Sequence, residues 1–146
     1  MGAGVTVRVV VGDDSSIFRE VAREVLEGDG DIAVVGEAVD GPDTIAAVRR
    51  HRPDLLLVDL QMPGMSGLSA IEQVMAGSPV PIVLITARRG DDTLAFEAMR
   101  RGALEVLDKG VVAQRPAWLR EQVRQLARVP VVRRPAARPA QATAGV

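Results

Sequence analysis

Carboxylate, hydroxyl and ammonium side chains stand at the ends of four short apolar runs in this sequence. Asp13 and Asp14 follow the first run, Asp59 ends the third, and Thr86 and Lys109 end the fourth and fifth. Three carboxylates brought together raise one another's pKa unless a cation lies among them. The chain has no cysteine and one histidine, so this cation should be an oxygen-ligated ion such as Mg²⁺ or Mn²⁺.

These residue types suit the transfer of a phosphoryl group. A hard metal ion keeps open positions for phosphoryl oxygens, and a carboxylate beside it can attack phosphorus to form an acyl phosphate. Lys109 is the only lysine, and the other 17 basic residues are arginines. Lysine supplies a compact point charge, whereas the arginine fork favours bidentate pairing. The hydroxyl of Thr86 can donate to a phosphoryl oxygen.

Five strands and five helices are predicted to position these groups. Short runs rich in β-branched residues and leucine alternate with stretches of helical period, which indicates a parallel sheet covered on both faces. The runs cover residues 5–11, 32–38, 54–59, 81–86 and 104–108. Ser15 or Ser16 can cap the first helix, Asp91 or Asp92 the fourth, and Pro116 suits the first turn of the fifth.

The polar groups also predict the order of the strands. Sites in open α/β sheets lie at the carboxyl ends of the strands. Only the second run, which ends near Glu37, lacks a suitable group there. An edge strand would not reach a central site, so we expect a flavodoxin-like (βα)5 doubly wound parallel sheet of order 2-1-3-4-5.

Composition limits the function classes. Residues 1–128 carry 19 acidic residues against 14 arginines and one lysine, a net charge of −4. An acidic body with 2% aromatic residues argues against nucleic acid as a partner. No apolar run approaches the roughly 20 residues that span a membrane, and we expect a cytoplasmic protein. Residues 129–146, rich in proline, alanine and arginine, are predicted to be a disordered tail or linker.

Residues 5–128 resemble the receiver domain of bacterial two-component response regulators. The resemblance is carried by VVVGDDSSIFRE, LLLVDLQMPGMSGL, IVLITA and LEVLDKG, in this order. It implies that a histidine kinase or phosphotransfer protein phosphorylates Asp59. It also implies Mg²⁺ ligands, which would be Asp13, Asp14, Asp59 and the backbone carbonyl of Gln61.

The resemblance further implies how the signal is relayed. Thr86 would be the switch hydroxyl and Lys109 the phosphate-sensing ammonium, and output would pass through the fourth helix, fifth strand and fifth helix. The sequence departs from the family pattern at two positions. Val106 replaces the usual aromatic residue and Gly110 the usual proline, so we expect a trans peptide bond and a more mobile loop after Lys109.

Within this family, the chain is most similar to the N-terminal receiver of chemotaxis protein-glutamate methylesterases. We expect no esterase activity from this chain, because it lacks a G-x-S-x-G-like nucleophile turn and His51 lies away from the site. A phosphorylation-independent interaction module is the alternative function. A phosphatase of haloacid dehalogenase type would need an acid where Gln61 stands.

Overall fold

The carboxyl ends of five parallel strands form the edge at which the predicted residues meet. The computed structural model describes residues 4–88 and 90–135. The strands are β1 (Val7–Gly12), β2 (Ile32–Ala38), β3 (Leu55–Asp59), β4 (Ile82–Thr86) and β5 (Glu105–Asp108). Their order is β2-β1-β3-β4-β5, and every pair is parallel. The predicted fold class and strand order are confirmed.

Helices cover both faces of this sheet. They are α1 (Ser16–Leu26), α2 (Gly41–His51), α3 (Gly67–Gly77), α4 (Asp92–Arg101), α5 (Val111–Gln114) and α6 (Pro116–Leu126). The single turn α5 was not predicted, so the predicted fifth helix corresponds to α6. Among the described residues, no helix is long and apolar enough to cross a membrane.

Two apolar clusters explain why the central strands read as continuous apolar runs. All residues of β3 and β4 are buried. Leu56 and Val58 belong to the cluster on the α2–α4 side, whereas Leu55 and Leu57 belong to the cluster on the α1, α5 and α6 side. Successive side chains of a strand point to opposite faces, so a strand buried on both faces shows no alternation of apolar and polar residues.

Local signals begin the helices where the sequence predicts them. Ser15 caps α1 by accepting a hydrogen bond from the backbone of Phe18, and Asp91 caps α4 by accepting one from Leu94. Pro116 lies at the first position of α6, where the missing N–H costs no helical hydrogen bond. These caps place the first turns of α1 and α4 beside the carboxyl ends of the strands.

Two glycines let helices approach the strand ends closely. A Cβ atom at Gly12 would lie 2.6 Å from Oγ1 of the buried Thr44 in α2. A Cβ atom at Gly67 would lie 2.5 Å from the backbone oxygen of Asp59, and its amide donates to the carbonyl of Leu60. Side chains at these positions would push α2 and α3 away from the site.

The chain directly after α6 makes contacts with the domain. Val131 packs on the α2–α4 cluster and the amide of Arg134 donates to the carbonyl of Met75, while the residues of 129–135 other than Val131 are exposed. These contacts use backbone groups and arginine side chains and need no repeating apolar face; the disordered tail or linker over residues 129–146 stays a prediction. Residues 136–146 of the predicted tail lie outside the described residues.

Candidate functional site

The structure brings the predicted strand-end groups together. One carboxylate oxygen from each of Asp13, Asp14 and Asp59 lies within 4.8 Å of the others. Asp13 is fully buried and Asp59 is 6% exposed, whereas Asp14 is exposed. Nζ of Lys109 lies 2.7 Å from Oδ2 of Asp13 and 3.4 Å from Oδ2 of Asp59. The result is a pocket of three carboxylates and one ammonium, open to solvent on the Asp14 side.

Asp13 is held on several sides. Its Oδ1 accepts a hydrogen bond of 2.8 Å from the amide of Ser15. Its backbone carbonyl accepts one of 2.7 Å from Arg19, which also pairs with Glu37 at 2.9 Å. The edge strand β2 therefore supports the site through Glu37 without entering it. Apart from the ion pair with Lys109, Oδ2 of Asp13 is buried without a hydrogen-bond donor.

Phe18 is a part of the site that sequence reasoning missed. Nζ of Lys109 lies 4.5 Å from the centre of the Phe18 ring, at the distance of a cation–π contact. The sequence signal was available, since Phe18 lies in the first turn of α1 directly after the acidic pair. An aromatic residue there reads as part of the apolar helix face, which is why its contact with a cation was not predicted. Arg19 was missed for a different reason, because an arginine in a helix usually reads as a solvated charge.

The local electrostatics disfavour the charged form of Asp59. Burial and the negative charge of Asp13 raise the pKa of Asp59, against the opposing effects of Lys109 and the backbone amide of Gln61. Burial lowers the pKa of Lys109, but the hydrogen bond and charge of Asp13 and the charge of Asp59 outweigh burial and raise it. The ammonium is therefore fixed in its charged form beside carboxylates that still have unsatisfied negative charge.

Thr86 and Gln61 flank Asp59. Thr86 is 4% exposed, and its Oγ1 accepts a hydrogen bond of 2.9 Å from the amide of Arg88. The backbone amide of Gln61 acts to lower the pKa of Asp59, while the side chain of Gln61 is exposed. The structure thus places both residues at the site. The predicted role of the Gln61 carbonyl as a metal ligand stays a prediction.

The two departures from the family pattern have local consequences. Val106 pairs with Leu84 of β4 and packs partly buried on the α2–α4 cluster. A cleft of about 370 Å³, lined in part by Thr86, Ala95 and Val106, lies beside it. Gly110 has a φ of −63° and leads directly into α5. No cis peptide bond occurs among residues 4–88 and 90–135, in agreement with the expected trans bond at Gly110.

The donor set fits a hard divalent cation. Three carboxylates meet with one buried oxygen, Oδ2 of Asp13, that accepts no aligned hydrogen bond. Carboxylate oxygens are the ligands that Mg²⁺ uses, together with retained water. A cleft of about 530 Å³, lined by Asp14, Gln61 and Arg88 among others, lies next to this cluster.

Comparisons with known proteins agree with this geometry. Residues 9–123 match the protein family described as response regulator receiver domain. The chain is 39% identical over 138 residues to protein-glutamate methylesterase/protein-glutamine glutaminase 3 of Paramagnetospirillum magneticum, covering 93% of this chain and 39% of that protein. It is 39% identical over 120 residues to the corresponding protein of Haloarcula marismortui, covering 80% of this chain and 32% of that one.

Solved structures show the same fold. The response regulator domain of Thermotoga maritima CheB superposes with a TM-score of 0.77 at 28% identity, covering 85% of this chain and 98% of that chain. A two-component response regulator of the LuxR family from Aurantimonas sp. SI85-9A1 superposes with a TM-score of 0.75 at 28% identity, covering 94% of each chain. The chain spans between 32% and 39% of the length of the two methylesterase relatives, so the likeness concerns one region of those proteins.

Proposed function

Because this chain belongs to the response regulator receiver domain family, we propose that Asp59 is the residue that accepts the phosphoryl group. As a receiver domain, the chain is a phosphorylation-controlled signalling switch. One observation supports the choice of Asp59. Its carboxylate lies at the end of the central strand β3, within 4.8 Å of a carboxylate oxygen of the buried Asp13 and 3.4 Å from the ammonium of Lys109. Asp13 is fully buried and already paired with Lys109, which makes it the poorer nucleophile.

The proposed reaction is transfer from a phosphohistidine. An oxygen of Asp59 forms a bond to phosphorus while the P–N bond of the donor breaks, and the leaving imidazole nitrogen keeps the electron pair and takes up a proton. Lys109 is close enough to turn its ammonium from Asp13 to the equatorial oxygens. The hydroxyl of Thr86 can donate to one of them. Later attack of water on phosphorus returns the carboxylate and releases phosphate.

Asp13, Asp14, Asp59 and the backbone carbonyl of Gln61 would hold Mg²⁺ in this proposal. Two observations support it: Oδ2 of Asp13 is buried with the ion pair to Lys109 but no aligned hydrogen bond, and the carboxylate oxygens lie close together. When bound, the ion would neutralise negative charge that develops on the phosphoryl oxygens. Asp13 contributes orientation as well, because its hydrogen bond from Ser15 and the contact of Arg19 with its carbonyl fix the carboxylate.

The proposed partners are a sensor histidine kinase or phosphotransfer protein and a downstream effector, in the cytoplasm. Output is proposed to pass through α4, β5 and α6. Phe96 and Met99 of α4, which are 66% and 47% exposed, offer apolar contact area on that side. The likeness to methylesterase receivers supports a role in chemotaxis, with this chain acting as the switch and not as the esterase.

Beryllofluoride, which mimics a phosphoryl group on a carboxylate, tests this function. With Mg²⁺ present, we expect the NMR shifts of the Thr86 and Lys109 amides to change, and Asp59→Asn should abolish the change. No response of the parent chain at millimolar beryllofluoride would contradict the proposal. Partner binding retained by Asp59→Ala under phosphorylating conditions would instead favour the phosphorylation-independent module, to which Val106 and Gly110 point.

A further inference from the structure

The C-terminal ends of α3 and α4 form an interaction surface that the chain itself occupies. Residues 129–135, called the strap below, leave α6 on one face of the sheet and reach the α2–α4 cluster on the other through Val131. The backbone amide of Arg134 donates to the carbonyl of Met75 at 2.8 Å. Nε of Arg133 donates to the carbonyl of Ala76 at 2.7 Å.

A third hydrogen bond ties the strap to α4. A guanidinium nitrogen of Arg134 donates to the backbone carbonyl of Arg100 at 2.7 Å. The last carbonyls of a helix have no partner within it and carry the negative end of the helix dipole. An arginine that binds these carbonyls donates the missing hydrogen bond and also places a positive charge at the negative end of the dipole. Arg133 and Arg134 thus act as caps supplied from outside, one on α3 and the other on α4.

The fit of the strap depends on how α3 and α4 lie against each other. A Cβ atom at Gly102, the C-cap of α4, would lie 2.7 Å from Cγ of Met75 in α3 and 3.7 Å from Cδ of Arg134. Arg134 simultaneously contacts a carbonyl of α3 through its amide and one of α4 through its side chain. A shift of α4 along or away from α3 would separate these acceptors and break at least one bond.

The other end of α4 lies next to the functional site. The amide of Arg88 donates to Oγ1 of Thr86, and α4 begins shortly afterwards at its cap Asp91. A helix of ten residues is about 15 Å long and moves largely as one body. The switch hydroxyl and the strap therefore act on opposite ends of the same helix.

We propose that docking of the strap stabilises the position of α4 seen in this structure and thereby opposes the binding of a phosphoryl group at Asp59. The inference rests on the proposed function of Asp59. It adds that the segment leaving the domain is a built-in output element. In this proposal, a phosphoryl group on Asp59 draws the Thr86 hydroxyl toward it and α4 shifts in consequence. The guanidinium of Arg134 then loses its hydrogen bond to the backbone carbonyl of Arg100. Linkage requires that release of the strap, in return, favours the phosphorylated form.

Arg134→Ala tests this coupling through the affinity of the 146-residue chain for beryllofluoride in the presence of Mg²⁺. The variant loses the bond to Arg100 but keeps the backbone amide that binds Met75. We expect its affinity, measured from the NMR shift of the Lys109 amide, to rise about fivefold, at the low end of typical couplings. Arg128→Ala is the matched control, since Arg128 is exposed just before the strap, and it should stay within about twofold of the parent chain.

Amide exchange in the unmodified chain provides a second measurement that needs no variant. The Arg134 amide is protected by its bond to Met75, and saturating beryllofluoride should speed its exchange about fivefold. If the Lys109 shift does not respond to beryllofluoride at all, the proposed function fails and the coupling falls with it. If Lys109 responds while the Arg134 exchange rate and the affinity of Arg134→Ala are unchanged or lowered, the strap inference alone is overturned.

Discussion

Replacing Lys109 by methionine should destabilise the protein strongly, and Mg²⁺ should recover part of the loss. At 2.7 Å the ion pair of Lys109 with Asp13 has a Coulomb energy of about 6 kcal/mol at an effective dielectric constant near 20. Without the ammonium, Asp13 and Asp59 repel each other at no more than 4.8 Å, which costs about 3.5 kcal/mol or more on the same scale. Desolvation of the charges in the parent chain offsets part of this.

Urea unfolding at pH 7 in the presence of EDTA measures the net effect. Removing one partner of a buried ion pair costs about 3–5 kcal/mol, and Lys109 is 25% exposed, so we expect a loss of about 3 kcal/mol for Lys109→Met. Mg²⁺ at ten times its dissociation constant stabilises the folded state by about 1.4 kcal/mol. At the same Mg²⁺ concentration the gain in stability should be larger for Lys109→Met than for the parent chain, because the ammonium no longer repels the metal ion.

The control is Arg50→Met, which removes an exposed cation from α2 and should change the free energy of unfolding by less than about 0.5 kcal/mol. Two results would refute the reasoning. The first is a Lys109→Met variant as stable as the control in EDTA. The second is a variant that gains no more stability from Mg²⁺ than the parent chain gains.

Three further perturbations test other parts of the site. Burial and Asp13 raise the pKa of Asp59. The carboxyl of Asp59 therefore stabilises the folded state at pH values below its ordinary pKa, and this contribution is lost as the pH rises through the raised pKa. Asp59→Asn should therefore have a higher urea midpoint than the parent at pH 7, with the difference vanishing toward pH 3; equal midpoints at pH 7 would contradict this. Lys109→Arg should fold with an unchanged midpoint but bind beryllofluoride about tenfold more weakly, a change of about 1.4 kcal/mol; a normal response would contradict the assigned role. Gly12→Ala should cost about 1–3 kcal/mol of stability by overpacking, because its Cβ would meet Thr44, and calorimetry would show whether the melting temperature falls.

The sequence predicted the features that follow from local pattern and from strand-end chemistry. Continuous apolar runs such as Leu55–Val58 identify buried strands, and caps such as Ser15 and Asp91 begin helices. The strand order followed from a polar group missing after β2. The acidic residues and Lys109 converge because the carboxyl ends of parallel strands share one edge.

Contacts between distant segments could not be predicted in this way. The position of Phe18 over Lys109 depends on the angle at which α1 crosses the sheet. The strap uses a backbone amide and two arginines to bind helix carbonyls, and such contacts leave no periodic trace in a sequence. The turn α5 has only four residues, too few for helical periodicity to show.

The surroundings of Lys109 explain why an ammonium serves better here than a guanidinium. Nζ reaches Asp13 and Asp59 from one position at 2.7 and 3.4 Å, with the Phe18 ring at 4.5 Å. A point charge on a flexible stem can exchange one oxygen for another by a small rotation, whereas a planar fork paired with Asp13 would have to break two aligned bonds. Because the raised pKa of Lys109 keeps it charged, the same group can balance Asp13 in one state and a phosphoryl oxygen in the other. In the proposed mechanism, the ion pair with Asp13 is therefore both a source of stability and the contact that phosphorylation of Asp59 would displace.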